Sequence, residues 1–197
     1  MKPIQEPPPE NNPKSLAAFY RSLPFPTDGE LRWLLNQGID GEVMASPYAI
    51  RGAAVEFDRH TFDFDPDGSR AVIFRADDRG EPRDLVAWGP KSGRLASWRG
   101  SAFCVGDADD VLNPAINFMD GALRIHRTPL EWLRSGRDGI VIVQPKDVCG
   151  HLHDGMRVVC TDLQLSQQVR EWLRAPARKI EILVEGVNVE QKGRRAA

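Results

Sequence analysis

The sequence predicts an α+β protein: N-terminal helices, an antiparallel β meander, then a small, mainly parallel α/β layer of order βαβαβαβ. Three observations predict it. Between residues 53 and 98, short segments alternate apolar and polar with a period of two, and the connections between them are too short for a crossover helix. Beyond residue 122 the strand candidates are instead separated by capped helical segments, which argues parallel strands joined by right-handed crossovers. Before residue 52 the apolar residues recur at helical spacing.

Residues 1–14 hold five prolines and two asparagines and read as a disordered leader. Residues 15–52 form the helical segment. Ser15 to Arg21 supplies two turns before Pro24 and Pro26 stop them. Thr27-Asp-Gly-Glu30 is a capping box that opens a second helix, whose apolar stripe is Leu31, Leu34 and Leu35 and whose stop is Gly38. Residues 53–121 hold the meander and a connecting helix. The strands are Ala53–Phe57, Phe62–Phe64, Arg70–Arg75, Asp84–Trp88 and Arg94–Trp98, punctuated by Pro66-Asp-Gly68, Asp78-Arg-Gly80 and Lys91-Ser-Gly93. The connecting helix starts at Asp107–Leu112, and Pro114 interrupts it.

Residues 122–185 form the α/β layer. A strand at Ala122–His126 leads to a helix, Pro129–Arg134, with Thr128 and Glu131 as a second capping box and Gly136 as its end. Gly139–Val143 is wholly apolar and β-branched, as a strand buried on both faces is. A short helix near Lys146–Leu152, a strand Arg157–Thr161, a helix around Ser166–Arg174 and a strand Lys179–Val184 follow. The polar residues 186–197 read as a flexible tail.

Composition narrows the function classes. With 197 residues, 41% hydrophobic and 27% charged, the chain is long enough to bury a core and is globular in make-up. Lys plus Arg (26) nearly balances Asp plus Glu (28), so no basic field draws nucleic acid in bulk and no polybasic run draws an anionic membrane. No apolar run exceeds five residues, glycine included, where a spanning helix needs about 20. The N-terminus carries no apolar stretch of a secretory signal, and three cysteines are too few and odd for a disulfide framework. The expected compartment is the cytoplasm.

Each chemical motif has a plainer reading beside it. Asp63-Phe-Asp-Pro-Asp-Gly68 opens like a calcium loop, but Phe74 stands where a bidentate glutamate is needed, so it is expected to be a hairpin turn. Cys149, His151, His153 and Cys160 lack the ligand spacing of a structural zinc site. No metal and no cofactor is expected. Trp33, Trp132 and Trp172 each stand beside a leucine in a helix, a core pattern. Trp88, Arg94, Trp98 and Arg99 are the candidate nucleic-acid set: a guanidinium beside an indole can hold a phosphate while the ring stacks a base. Burial of both indoles is the favoured alternative.

The segments Ala122–Leu133, Gly139–Val143, Arg157-Val-Val-Cys-Thr-Asp-Leu-Gln164 and Gln168–Leu173 resemble, in that order, the Toprim module of primases, topoisomerases and related nucleases. Trp33–Ile39 and the hairpin around Asp77-Asp-Arg-Gly-Glu81 resemble the region that precedes this module in phage-type primases. The resemblance implies an edge where a Glu-Gly pair and an Asp-x-Asp pair hold magnesium. Here Arg127-Thr128 stands in place of the first pair and Asp162-x-Gln164 in place of the second. One carboxylate beside an arginine is a poor magnesium ligand set.

The expected function is therefore a non-catalytic module of phage or mobile-element origin that binds a macromolecule, a protein in the first instance, with nucleic acid left open. The alternative is a divergent Toprim-like nucleic-acid enzyme or replication accessory protein, with Asp162, His126 and Arg127 as its site.

Overall fold

The computed structural model of the chain describes residues 13–46, 48–78, 80–106, 122–152, 156–173 and 181–184. The expected connecting helix at 107–112, most of the leader, the tail and His153 lie outside these residues. Helix α1 (Pro13–Ser22) starts two residues inside the expected leader, with proline at its first position, where a missing N–H costs nothing. Helix α2 (Asp28–Asn36) has the full capping box: Thr27 N donates to Glu30 Oε2 at 2.7 Å and Glu30 N to Thr27 Oγ1 at 3.3 Å. A further short helix, α3 (Gly41–Ala45), is capped by Asp40, whose carboxylate accepts from Glu42 N at 2.9 Å.

Five antiparallel strands form the first sheet: β1 (Arg51–Phe57), β2 (Phe62–Phe64), β3 (Ser69–Asp78), β4 (Glu81–Trp88) and β5 (Leu95–Ser97). Their spatial order is β2-β1-β3-β4-β5, so this is not the simple meander expected. Phe64 and Ser69 are both in register with Val55, from opposite sides of β1. The chain therefore crosses β1 between β2 and β3. The turn at Asp65–Gly68 exists as expected, with Asp67 N donating to Asp65 Oδ1 at 2.9 Å and Gly68 N to Asp65 O at 3.0 Å, but it makes this crossing instead of closing a hairpin. Gly68 is required there because a Cβ would stand 2.4 Å from the Val55 carbonyl oxygen. Burial explains the order. β3 is apolar on both faces, with Ala71 and Ile73 in one core and Val72 and Phe74 in another, so it belongs between two neighbours. β2, with Asp63 exposed, takes the edge.

The second sheet contains β6 (Cys104–Gly106), β7 (Leu123–His126), β8 (Ile140–Ile142), β9 (Arg157–Cys160) and β10 (Glu181–Val184), in the order β10-β9-β7-β8-β6. The last four strands in sequence are parallel; β6 runs antiparallel to β8. Helix α4 (Pro129–Arg134) joins β7 to β8. A 3₁₀ turn (Pro145–Asp147) running into α5 (Val148–His151) joins β8 to β9, and α6 (Leu163–Trp172) follows β9. The Gly139–Val143 run is a buried strand flanked on both sides, as its β-branched, apolar character predicts.

Three cores bind these layers. Phe19 and Tyr20 of α1, with Leu23 just beyond it, pack on one face of the first sheet. The opposite face, with Phe74, Val86 and Trp88, shares a core with α2 and with Trp132, Leu133 and Val141 of the second sheet's layer. Val148, Leu165 and Val169 of α5 and α6 cover the other face of the second sheet, against Ile125, Ile140 and Val158. Helices α4 and α6 thus lie on opposite faces, which right-handed crossovers demand when the strand order reverses direction.

Asp84, with none of its surface exposed, fastens the passage from one sheet to the other. Its carboxylate accepts from Leu85 N (2.7 Å), Ser97 Oγ (2.8 Å), Arg99 N (3.0 Å), Ser101 N (2.9 Å) and Ala102 N (3.2 Å). The backbone from Ser97 to Ala102, which carries the chain toward β6, is wrapped around this one anion.

Candidate functional site

In an open α/β sheet, ligands gather beyond the carboxyl ends of the strands where the strand order reverses, because the two connecting loops part there. In the second sheet that point lies between β7 and β9: from β7 the chain steps to β8 on one side and afterwards returns to β9 on the other. Arg127 follows β7 and Asp162 follows β9, and the structure brings them together. Arg127 Nη2 donates to Asp162 Oδ1 at 2.5 Å and Nη1 to Gln164 Oε1 at 3.0 Å. Asp162 also caps α6, accepting from Leu165 N at 2.8 Å. That amide bond holds the Asp162 carboxyl below its ordinary value against the opposing effect of burial, and the Arg127 guanidinium adds to the lowering.

Glu131 completes this edge and carries no expected functional role. Thr128 caps α4 by accepting from Glu131 N at 3.2 Å, as expected. The Glu131 carboxylate, however, reaches the amide of Arg127 (3.0 Å) and not that of Thr128, so the reciprocal box takes a different form. The same oxygen accepts from Thr161 Oγ1 at 3.3 Å, tying the end of β9 to the start of α4. Hydrogen bonds within the chain thus link the side chains of this edge to one another and to its backbone.

His126 does not join it. Its side chain turns to the α4–β8 connection, where Nε2 donates to Asp138 O at 2.7 Å, and its buried Nδ1 meets no partner among the described residues. Asp162, Arg127 and His126 are thus a pair and an outlier, not a triad. The residues also do not fit magnesium. A guanidinium already donates to Asp162 Oδ1, and its fixed positive charge would repel the ion.

The set Trp88, Arg94, Trp98 and Arg99 is dispersed. Trp88 belongs to the core between the sheets, 3% exposed. Trp98 packs on the α1 side, its ring stacked on Phe19 at 5.5 Å and edge-on to Phe64. The two indoles occupy opposite faces of one sheet and cannot form a shared stacking platform. Arg94 donates to the carbonyls of Phe57 and Asp58, and Arg99 lies over the Trp98 ring at 4.6 Å.

The cysteine and histidine cluster is likewise divided. The Cys149 thiol donates to Trp172 O at 3.0 Å, His151 stacks on Phe103 at 4.1 Å, and Cys160 is wholly buried in β9, where burial pushes its thiol up to about 12. Among the described residues, no three His, Cys, Asp or Glu side chains converge as metal ligands. Nor is any helix among them long and apolar enough to cross a membrane.

The feature that the sequence reading missed is a groove of about 840 Å³ beside α2. Trp33 and Pro90 give it apolar surface, with the buried Leu34 and Val72 beneath. Trp33, expected in the core, is 36% exposed: its ring sits 6.2 Å from Trp88 on one side and opens on the groove. The signal in the sequence was the bulk of an indole next to a leucine stripe, which looks the same whether the ring faces inward or along a surface. The chain matches no family model, and no curated protein or solved structure matches it.

Proposed function

We propose that the chain is a non-catalytic module that acts by binding a macromolecule, a protein, and that it descends from a phage or mobile-element replication protein. The observation that carries the non-catalytic part is the Arg127–Asp162–Gln164 bridge. It ties Asp162 to an internal cation and a helix cap, while Glu131, the other carboxylate of this edge, is held by the Arg127 amide and Thr161, an arrangement that supports neither metal binding nor base catalysis there. The near-neutral charge supports a protein partner over nonspecific nucleic-acid binding, since counterion release requires several clustered cations. The origin rests on the Toprim resemblance, and the element order after β7 is compatible with it.

The test is direct. Nuclease and primer-synthesis assays with Mg²⁺ and Mn²⁺ on the full chain should give no turnover above a buffer blank. Turnover that disappears in Asp162→Ala would overturn the reading in favour of a divergent nucleic-acid enzyme.

A further inference from the structure

We infer that the groove beside α2 takes a short apolar segment of a partner protein that carries an aspartate or glutamate. The inference rests on the reading of the chain as a protein-binding module and adds the place and the chemistry. The apolar side comes first. Trp33 presents a partly exposed indole whose inner edge is fixed against Trp88, so little rotamer freedom remains to be lost when a ligand covers it. Pro90 extends the same apolar surface, and the volume falls in the usual range for ligand sites, about 300–1,000 Å³.

Charge then selects the occupant. Arg70 and Glu30 face each other across the lip and neutralise one another, with Arg70 Nε and Nη2 donating to the two Glu30 oxygens at 3.1 and 3.0 Å. Bonds from Arg70 and Thr27 hold the Glu30 carboxyl below its ordinary value against the opposing, larger single effect of burial, so it stays ionised and committed to this pair. Lys91 is the remaining cation of the lip, and it pairs with no carboxylate among the described residues. It stands on a turn held by Gly93 N donating to Gly89 O at 2.8 Å and Ser92 N to the same oxygen at 3.1 Å. The groove therefore offers one net positive charge beside an apolar floor. That complements a single carboxylate flanked by apolar side chains. A nucleic-acid strand would need several free cations and would meet Glu30 with its phosphates.

A library of random short peptides displayed on phage, selected on the full chain and counter-selected on a Trp33→Ala/Lys91→Glu variant, tests this. Enriched peptides are then synthesised and their affinities read by fluorescence anisotropy, with circular dichroism confirming that each variant folds. The expected peptides pair an aromatic or branched aliphatic residue with Asp or Glu. Each single substitution, Trp33→Ala and Lys91→Glu, should weaken them at least about tenfold, and exchanging the peptide's acid for Lys should restore binding to the Lys91→Glu variant. Peptides that bind equally to all variants overturn the groove while leaving a protein-binding module intact. Basic consensus peptides, or no enrichment, overturn the inference outright. If a single-stranded oligonucleotide binds where no peptide does, the protein-binding reading falls with it.

Discussion

Asp84→Asn is the sharpest test of how the two sheets are joined. The substitution keeps the shape of the side chain and exchanges one acceptor oxygen for an NH₂ group. Every partner of Asp84 is a donor, so no orientation of an amide satisfies the site. The better orientation leaves oxygen at Oδ2, where Ser97, Ser101 and Ala102 donate, and turns NH₂ toward Leu85 N and Arg99 N, which lie 2.7 and 3.0 Å from Oδ1. Hydrogen bonds to a charged group are worth about 1.5–3 kcal/mol each, so losing two costs about 3–6 kcal/mol. The lower figure applies, because Arg99 N retains a 3.2 Å contact to Oδ2. A loss of about 3 kcal/mol is a large fraction of the ordinary 5–15 kcal/mol stability of a domain and still leaves folded protein to measure. Urea unfolding followed by tryptophan fluorescence, with linear extrapolation, reads it. Ser97→Ala removes a single donor and should cost only about 1 kcal/mol. If Asp84→Asn costs less than Ser97→Ala, the anion does not organise the 97–102 passage and the reasoning is wrong.

Other consequences can be measured in parallel. Gly68→Ala drives a Cβ into the Val55 carbonyl at 2.4 Å and should cost about 3 kcal/mol, at the upper end for overpacking, whereas Gly80→Ala, at φ +75° with open space around it, should cost about 1 kcal/mol; equal losses in urea unfolding would contradict the strand crossing. Burial raises the Tyr20 phenol to about 12, against the opposing pull of Arg137, Arg51 and Arg75, and the phenol donates to Ala49 O at 2.7 Å. Its folded value lies above the unfolded value of about 10, so its contribution is complete below pH ~10 and is lost as pH rises through about 12; Tyr20→Phe should flatten the alkaline fall in stability, and an unchanged slope refutes the assignment. Native iodoacetamide labelling at mildly alkaline pH should modify the half-buried Cys149 before Cys160 and Cys104, and mass spectrometry showing Cys160 labelled as fast as in the unfolded chain would refute the inert-thiol reading.

Where a signal is local, the sequence alone determined the outcome. The Thr27–Glu30 box, the Thr128 cap and the β-branched Ile140–Ile142 strand stand as expected, because a cap or a strand is decided by the residues within one turn or one pleat. The change from tight turns to capped helices likewise foretold an antiparallel sheet followed by a mainly parallel one. Tertiary structure alone decided what depends on residues far apart. The crossing of β1 at Gly68 was invisible because the same Asp-Pro-Asp-Gly turn serves a hairpin or a crossing, and the choice rests with β3, whose two apolar faces both need cover. Trp88 and Trp98 fell to opposite faces because a sheet's pleat assigns sides by register, not by nearness in sequence. Arg127, just past the end of β7, meets Asp162 across 35 positions, while its neighbour His126 bonds the α4–β8 connection instead, a division that local sequence does not encode. The exposed face of Trp33 was settled by how α2 sits beside the β4–β5 turn: periodicity says which residues share a face, but only packing against the rest of the chain says how much of that face is left uncovered.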